Sequence, residues 1–375
     1  MNPILTSELA VMLGTGLTTF YLHRRIKVKQ APPRFLPHQE TDKFLLLQSL
    51  YGYNEHSLVS GADDFRFWFD DQTQSGISYS EYGNVRLVAG ETLAAKENLY
   101  SATQRFLQDS SENKKLVAFM PVTEQFARLF DPNKFHILKI GASPYFNLTE
   151  WNPRGDRAKK MRAGLNQARR AGVKVEKLVN IDAKFKNETM ILCQSWLKTR
   201  RVNVAFDWLF KLAPFQNCDK KQYFAARDNE GDLIGLLAAS PIPARDGWYL
   251  EDVLRRPDSP NGTADTLVFE ALKSLAAEGA KLATLGTIPL AEDGGNIICE
   301  SSDRLFYKAL RLSRRNLESV YGFDGLRRFK AKFVPCFWES EYVIARKGLL
   351  TYPKVLQAFK RSILPKGLNS LLINR

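Results

Sequence analysis

Residues 249–263 read Tyr-Leu-Glu-Asp-Val-Leu-Arg-Arg-Pro-Asp-Ser-Pro-Asn-Gly-Thr. An apolar run ends in Asp252, with Arg255 and Arg256 just beyond it. Two prolines shape a loop, and Asn261, Gly262 and Thr263 open a helix. Free N–H groups at a helix start, beside two guanidiniums, suit a phosphate or a carboxylate. Asp252 lies within four residues of both arginines and is a candidate base, or a ligand for a substrate ammonium. An ordinary surface ion pair and an ordinary N-cap would use the same residues.

Two further clusters are basic. Residues 321–333 interleave Arg327, Arg328, Lys330 and Lys332 with Phe323, Phe329 and Phe333. On a helix Phe329 and Phe333 share one face, and the lysines point elsewhere. Such mixing suits a phosphodiester partner, or an amphipathic core helix with a solvated basic side. Residues 154–177 set Arg154, Arg157, Lys159, Lys160, Arg162, Arg169, Arg170, Lys174 and Lys177 against only Asp156 and Glu176. That excess is steeper than solubility requires and suits RNA backbone or anionic head groups.

Other chemistries are excluded. The cysteines, Cys193, Cys218, Cys299 and Cys336, form no CxxC pair. The histidines, His23, His38, His56 and His136, all precede the clusters above, so a His base would have to come from the first half of the chain. There is no GxSxG elbow, no phosphate loop of the GxxxxGK type and no HExxH helix. Neither a metal nor nucleotide hydrolysis is expected.

The elements that must position these residues follow from composition and pattern. The chain has 375 residues, 44% of them hydrophobic and 11% aromatic, enough for a sizeable core. Its net charge of +14 calls for an anionic partner. No uncharged apolar run reaches the roughly 18 residues of a membrane span. Residues 4–22 are moderately apolar but interrupted by Glu8, and Arg24, Arg25, Lys27 and Lys29 follow. They read as a membrane-touching anchor, or as a frayed helix or weak signal-like start, within an N-terminal segment and Pro-rich linker over 1–35.

A first half, 36–150, alternates helices (44–51, 94–107, 122–130) with strands (65–69, 85–89, 116–120), which indicates an α/β layer fold of the α+β kind. A second half, 151–347, begins with a basic helix over 156–171 closed by Gly172. A helix over 187–198, a hairpin (222–226 with 233–240), a strand over 248–254, a capped helix over 263–277 and a strand over 281–285 follow. The order resembles a GNAT-type acyltransferase, and the first half repeats it weakly, so two tandem GNAT-like domains are expected. The end, 348–375, carries Lys354, Lys360 and Arg361 with Leu349, Leu350, Val355, Leu356 and Phe359, and no acidic residue follows Glu341. It is expected either to lie on an anionic leaflet or to pack on the domain with a wet basic side.

Several separated stretches together resemble the C-terminal catalytic domain of the phosphatidylglycerol lysyltransferases. They are Lys139-Ile-Gly141, the run from Arg157 to Asn166, the run from Asp252 to Thr263, Leu285-Gly-Thr-Ile-Pro-Leu290, and the run from Phe323 to Phe333. The resemblance spans about 36–350. It implies a tandem GNAT-like fold and transfer of an aminoacyl group from aminoacyl-tRNA to a hydroxyl of phosphatidylglycerol. It implies Asp252 and Arg255 in catalysis and substrate binding, and Lys330 on the lipid phosphate. Arg256, Asn261, Gly262, Thr263, Arg328 and Lys332 are then expected around the substrates. Arg157, Lys159, Lys160, Arg162, Arg169 and Arg170 would face tRNA. No cofactor is implied beyond aminoacyl-tRNA as co-substrate. The family's multi-helix membrane half has no counterpart in these residues, so lipid translocation is not expected of them. The expected place is the inner face of the cytoplasmic membrane. Competing readings are an acyltransferase using a coenzyme A thioester, and an RNA- or membrane-binding adaptor without chemistry.

Overall fold

The computed structural model describes residues 38–62, 64–198, 208–291 and 323–363. The expected N-terminal anchor lies outside them, as do Cys299 and the last basic residues, Lys366 and Arg375.

Twelve strands form one mixed sheet. The first half contributes α1 (His38–Tyr51), β1 (Arg66–Asp70), β2 (Ser75–Tyr82), β3 (Val85–Ala89), α2 (Leu99–Glu112), β4 (Leu116–Thr123), the single turn α3 (Glu124–Ala127) and β5 (Phe135–Asn147). The second contributes α4 (Lys159–Arg170), β6 (Lys174–Leu178), α5 (Ala183–Lys198), β7 (Gln222–Arg227), β8 (Leu233–Ile242), β9 (Gly247–Arg255), α6 (Thr263–Ala277), β10 (Leu282–Thr284) and β11 (Ile288–Pro289). The described chain ends with α7 (Phe323–Ala331), β12 (Phe337–Arg346) and α8 (Thr351–Ile363). Strand order is β1-β2-β3-β4-β12-β5-β10-β9-β8-β7-β6, with β11 also on β5. Pairs β3–β4 and β9–β10 are parallel, and the others are antiparallel. The expected α/β architecture, a mixed sheet flanked by helices, is what the chain adopts.

β5 is the seam between the halves. It pairs with β12 along most of its length and with β10 and β11 of the second half. β12 lies between β4 and β5, so the end of the chain completes the sheet of the beginning. Neither strand is evident in the hydrophobic pattern. β5 is buried along nearly its whole length, which erases the alternation that marks a half-buried strand.

α6 matches its expected bounds. Leu267, Val268, Ala271, Leu272 and Leu275 are fully buried, and each larger side chain is worth roughly 1.5–3 kcal/mol. α4 buries only Met161 and Ala168 and turns its basic side out. The expected basic helix stops earlier than its charges suggest. Lys174 and Lys177 belong to β6, an edge strand, where charge discourages pairing with another chain. The helix expected over 122–130 is mostly the end of β4 plus the turn α3, and that expected over 94–107 runs later, as α2.

The basic C-terminal segment packs on the sheet. α8 buries Thr351, Ala358 and Ser362, and Val355 and Phe359 join the core around Trp208. The hydroxyl of Tyr352 lies 3.0 Å from Nδ1 of His136. Its apolar face is thus used inside the fold, leaving Leu349 and Leu350 exposed before it. Among the described residues, no helix is long and apolar enough to cross a membrane.

Candidate active site

β9 carries a β-bulge. Ala238 of β8 faces Asp252 and Ala239 faces Leu250, so Glu251 is an extra residue with no partner across the ladder. A bulge breaks the alternation of side chains and bends the strand. Glu251 and Asp252 consequently both border one cavity of about 600 Å³. Its walls are β9 and the following loop from Tyr249 to Pro257, Trp196 of α5, Ala264 in the first turn of α6, and Leu326, Phe329 and Lys330 of α7. That volume lies within the roughly 300–1,000 Å³ of small-molecule sites.

The two acidic neighbours have different partners. Glu251 pairs with Lys221 at 2.9 Å and accepts a hydrogen bond from Ser240. Asp252 is only partly exposed as a residue, and its Oδ2 is buried with no protein partner. Burial first, and the charge of Glu251 second, push its carboxyl up to about 7, against the pull of Lys221. A carboxyl near 7 exchanges protons readily at neutral pH, as a general base must.

Two cations share the cavity wall. Arg255 is exposed, and its Nη1 donates to Arg256 O at 3.3 Å and to Ser259 Oγ at 3.2 Å. Lys330 is buried, and its Nζ donates to the carbonyls of Gly286 at 2.7 Å and Thr287 at 3.0 Å. An ammonium has three N–H groups, so one remains for a ligand. Burial pushes Lys330 down to about 8, while Glu55 and Glu341 act in the opposite direction. Gly286, at φ +77°, lets this loop pass Tyr249, whose ring atom would lie 2.5 Å from a Cβ there.

The structure thus brings Asp252, Arg255 and Lys330 together, and Arg256 with them. It gives other expected site residues different work. Arg256 makes a two-toothed pair with Asp258 at 2.6 and 3.0 Å, the ordinary surface pair that its spacing also allowed. Gly262 faces α4 and Thr263 packs against Gly235 of β8, so neither lines the cavity. A Cβ on Gly262, φ +91°, would meet the carbonyl oxygen of Gly164 at 1.9 Å, and Thr263 is fully buried. Asn261 is exposed in the turn before them. Lys332 pairs with Asp265 at 2.6 Å and lies over the ring of Phe329, so it fastens α7 to α6. Arg328 is exposed on α7. Arg157, Lys159, Lys160, Arg162, Arg169 and Arg170 are all exposed, and among the described residues none is held in an ion pair.

A polar core behind the cavity has no motif in the sequence. Glu55 and His56 follow α1, and their carboxylate and imidazole lie 3.5 Å apart. His56 meets Tyr249 edge-on, with ring centroids 5.7 Å apart. The second half therefore does receive a histidine from the first, one that burial holds below its ordinary value. Glu55 and Glu341 both contact Ser143 and Thr287. Glu341 carried no signal, because its strand was not evident.

A family model described as phosphatidylglycerol lysyltransferase, C-terminal, matches residues 49–345. The chain belongs to that family. Phosphatidylglycerol lysyltransferases of Bacillus subtilis and Staphylococcus xylosus are 23% identical over 303 residues and 22% identical over 320 residues, covering 79% and 82% of this chain. The chain spans only 34% and 36% of those relatives' own length. Among solved structures, the C-terminal domain of a protein described as a lysylphosphatidylglycerol synthetase from Agrobacterium fabrum has a TM-score of 0.72 at 17% identity, over 87% of this chain and 97% of that one. L-PGS from Bacillus licheniformis has a TM-score of 0.67 at 19% identity, over 89% and 96%. At these identities the likeness shows a shared fold. All five stretches that carried the resemblance fall within the matched residues.

Proposed function

We propose that this chain is the transfer centre of an aminoacyltransferase, moving a lysyl or similar group from aminoacyl-tRNA onto a hydroxyl of phosphatidylglycerol. The carrying observation is Asp252, whose buried Oδ2 has no hydrogen-bond partner, at the wall of a cavity that Arg255 and Lys330 also line. The names of the relatives support the acyl group and the acceptor. The donor follows from chemistry. No nucleotide-activating motif is present, so the amino acid must arrive already esterified, and exchange between two esters is close to thermoneutral.

In this reading Asp252 takes the proton from the lipid hydroxyl as its oxygen attacks the ester carbonyl. A C–O bond forms to the lipid, the C–O bond to the tRNA ribose breaks, and the proton passes to the leaving ribose oxygen. The remaining N–H of Lys330 and the guanidinium of Arg255 supply positive charge to the oxyanion and the lipid phosphate. The unpaired basic side of α4 steers and holds tRNA. No metal or cofactor enters this scheme. The chain would work against the inner face of the cytoplasmic membrane, where both substrates meet.

Mass spectrometry of lipid extracts, from cells with and without the gene, tests the reading. Phosphatidylglycerol heavier by one aminoacyl residue is the expected product. An unchanged lipid profile with newly acylated small molecules would point to thioester chemistry instead, and no change in either would point to an adaptor.

A further inference from the structure

Behind Lys330, four segments bring two carboxylates onto two shared hydroxyls. Glu55 follows α1, Ser143 lies on β5, Thr287 lies between β10 and β11, and Glu341 lies on β12. Ser143 Oγ is 3.2 Å from Glu55 Oε1 and also contacts Glu341 Oε1. Thr287 Oγ1 is 3.0 Å from Glu55 Oε1 and 2.6 Å from Glu341 Oε2. Glu55 and Glu341 are 2% and 3% exposed, so water does not intervene freely.

The protons can be counted. A hydroxyl carries one proton. Two hydroxyls therefore supply two protons to four oxygen–oxygen contacts. With both carboxylates ionised, two contacts would set lone pair against lone pair in a site closed to water. One added proton gives a third contact its hydrogen bond and removes one of two like charges. Unpaired buried charges and acceptors are costly, so the singly protonated pair is favoured.

We propose that Glu55 and Glu341 share one proton, and that the single negative charge left on the pair holds Lys330 as an ammonium in the cavity wall. The second clause rests on the cavity being the transfer site. The link is short. Lys330 donates to Gly286 and Thr287, and the side chain of that same Thr287 touches both carboxylates. Burial, and then the charge of Glu55, drive Glu341 well above the ordinary carboxylate range.

The other groups facing this core do not replace that charge. From the segment after α1, His56 is held below its ordinary value by burial. From β9, Tyr249 is raised well above its ordinary value by burial, Glu251 is paired with Lys221, and Asp252 lies at the cavity. From β5, Tyr145 is likewise raised by burial. From β12, Glu339 is paired with Arg245 at 2.7 Å. Just past the end of α7, Lys332 is taken by Asp265.

Competitive labelling of amines with trace acetic anhydride across pH, read by peptide mass spectrometry, gives the titration midpoint of Lys330 in the full chain. It needs no turnover, so it reports on this proposal even where no lysyl transfer is found. E55Q and E341Q each leave one carboxylate, and each should move the midpoint by less than about 0.5 unit, whereas the double variant E55Q/E341Q should lower it by about 1 unit or more. Single variants that each give about half the double shift would mean two charges, and would overturn the shared proton. A double variant with an unmoved midpoint would overturn the hold on Lys330. A purely structural role would move stability and not this midpoint. If the double variant does not fold, the wild-type infrared spectrum at about pH 8, above the Asp252 value, decides the first clause. A carboxylic-acid C=O band that is lost in both single variants supports the shared proton, and its absence from wild type overturns it.

Discussion

Lys332 Nζ lies 2.6 Å from Asp265 Oδ1, tying the helix that carries Lys330 to the helix that follows the Arg255 loop. The two side chains are 18% and 11% exposed, so the contact is largely out of water. Its role is to hold two walls of the cavity together. Lys332→Ala should therefore destabilise the fold by about 3 kcal/mol, because it strands a mostly buried carboxylate. Replacing both partners, as in D265L/K332M, should recover most of that loss. Denaturant unfolding of the three variants checks this, and equal stability of K332A and wild type would contradict it.

Gly262→Ala tests the junction of α4 and α6. The added Cβ would lie 1.9 Å from the carbonyl oxygen of Gly164, at a backbone φ of +91°. Overpacking and left-handed strain together should cost about 3 kcal/mol. The loss should appear in the unfolding midpoint, with substrate affinity at the remaining folded protein little changed. A stable variant with selectively weakened lipid binding would instead restore Gly262 to the substrate site.

Asp252 should set the acid side of the pH–rate profile. As a base it acts ionised, so kcat/KM should rise with pH through about 7. The charge of Glu251 contributes to that height, so E251Q should move the limb down by about 1 unit.

The same group has a stability signature with a definite sign. Its folded value, about 7, lies above the ordinary 3.8, so the folded state binds the extra proton. The stability it contributes is fully present below 3.8 and is lost as pH rises through about 7. Asp252→Asn should therefore be more stable than wild type at about pH 8, by a margin that vanishes below about pH 4. Thermal unfolding across pH checks both limits.

The basic side of α4 should act on tRNA alone. Charge reversal at Lys159 and Lys160 should raise KM for aminoacyl-tRNA and flatten its salt dependence by about two units of slope. KM for lipid vesicles should stay near wild type. Equal effects on both substrates would assign this face to general electrostatics.

Some of this site was readable in residue order, and some was not. α6 was legible because its apolar positions recur at helical spacing between a Gly262 turn and Gly279. Asp252, Arg255 and Lys330 were legible as charged residues in named stretches. The bulge at Glu251 was not, since one extra residue leaves no mark in composition. Glu55 and Glu341 were hidden for a different reason. Their meeting depends on β12 entering the sheet between β4 and β5, which brings together two residues nearly three hundred positions apart in the chain. Counting histidines per half left His56 only as a group that the first half could lend, and the fold brings it against Tyr249 of β9. Lys332 and Gly262 were in the right stretches but in structural roles, because spacing along a helix does not say which face meets a neighbour.

The central claim is that Asp252 serves a transfer between two esters. Purified chain, lysyl-tRNA carrying labelled lysine, and vesicles containing phosphatidylglycerol test it most directly, with label in the lipid phase as the readout. Wild type should move label into lipid, and D252A should do so at least about a hundredfold more slowly while binding both substrates. Transfer by D252A at the wild-type rate, or label that never enters the lipid with wild type, would contradict the account.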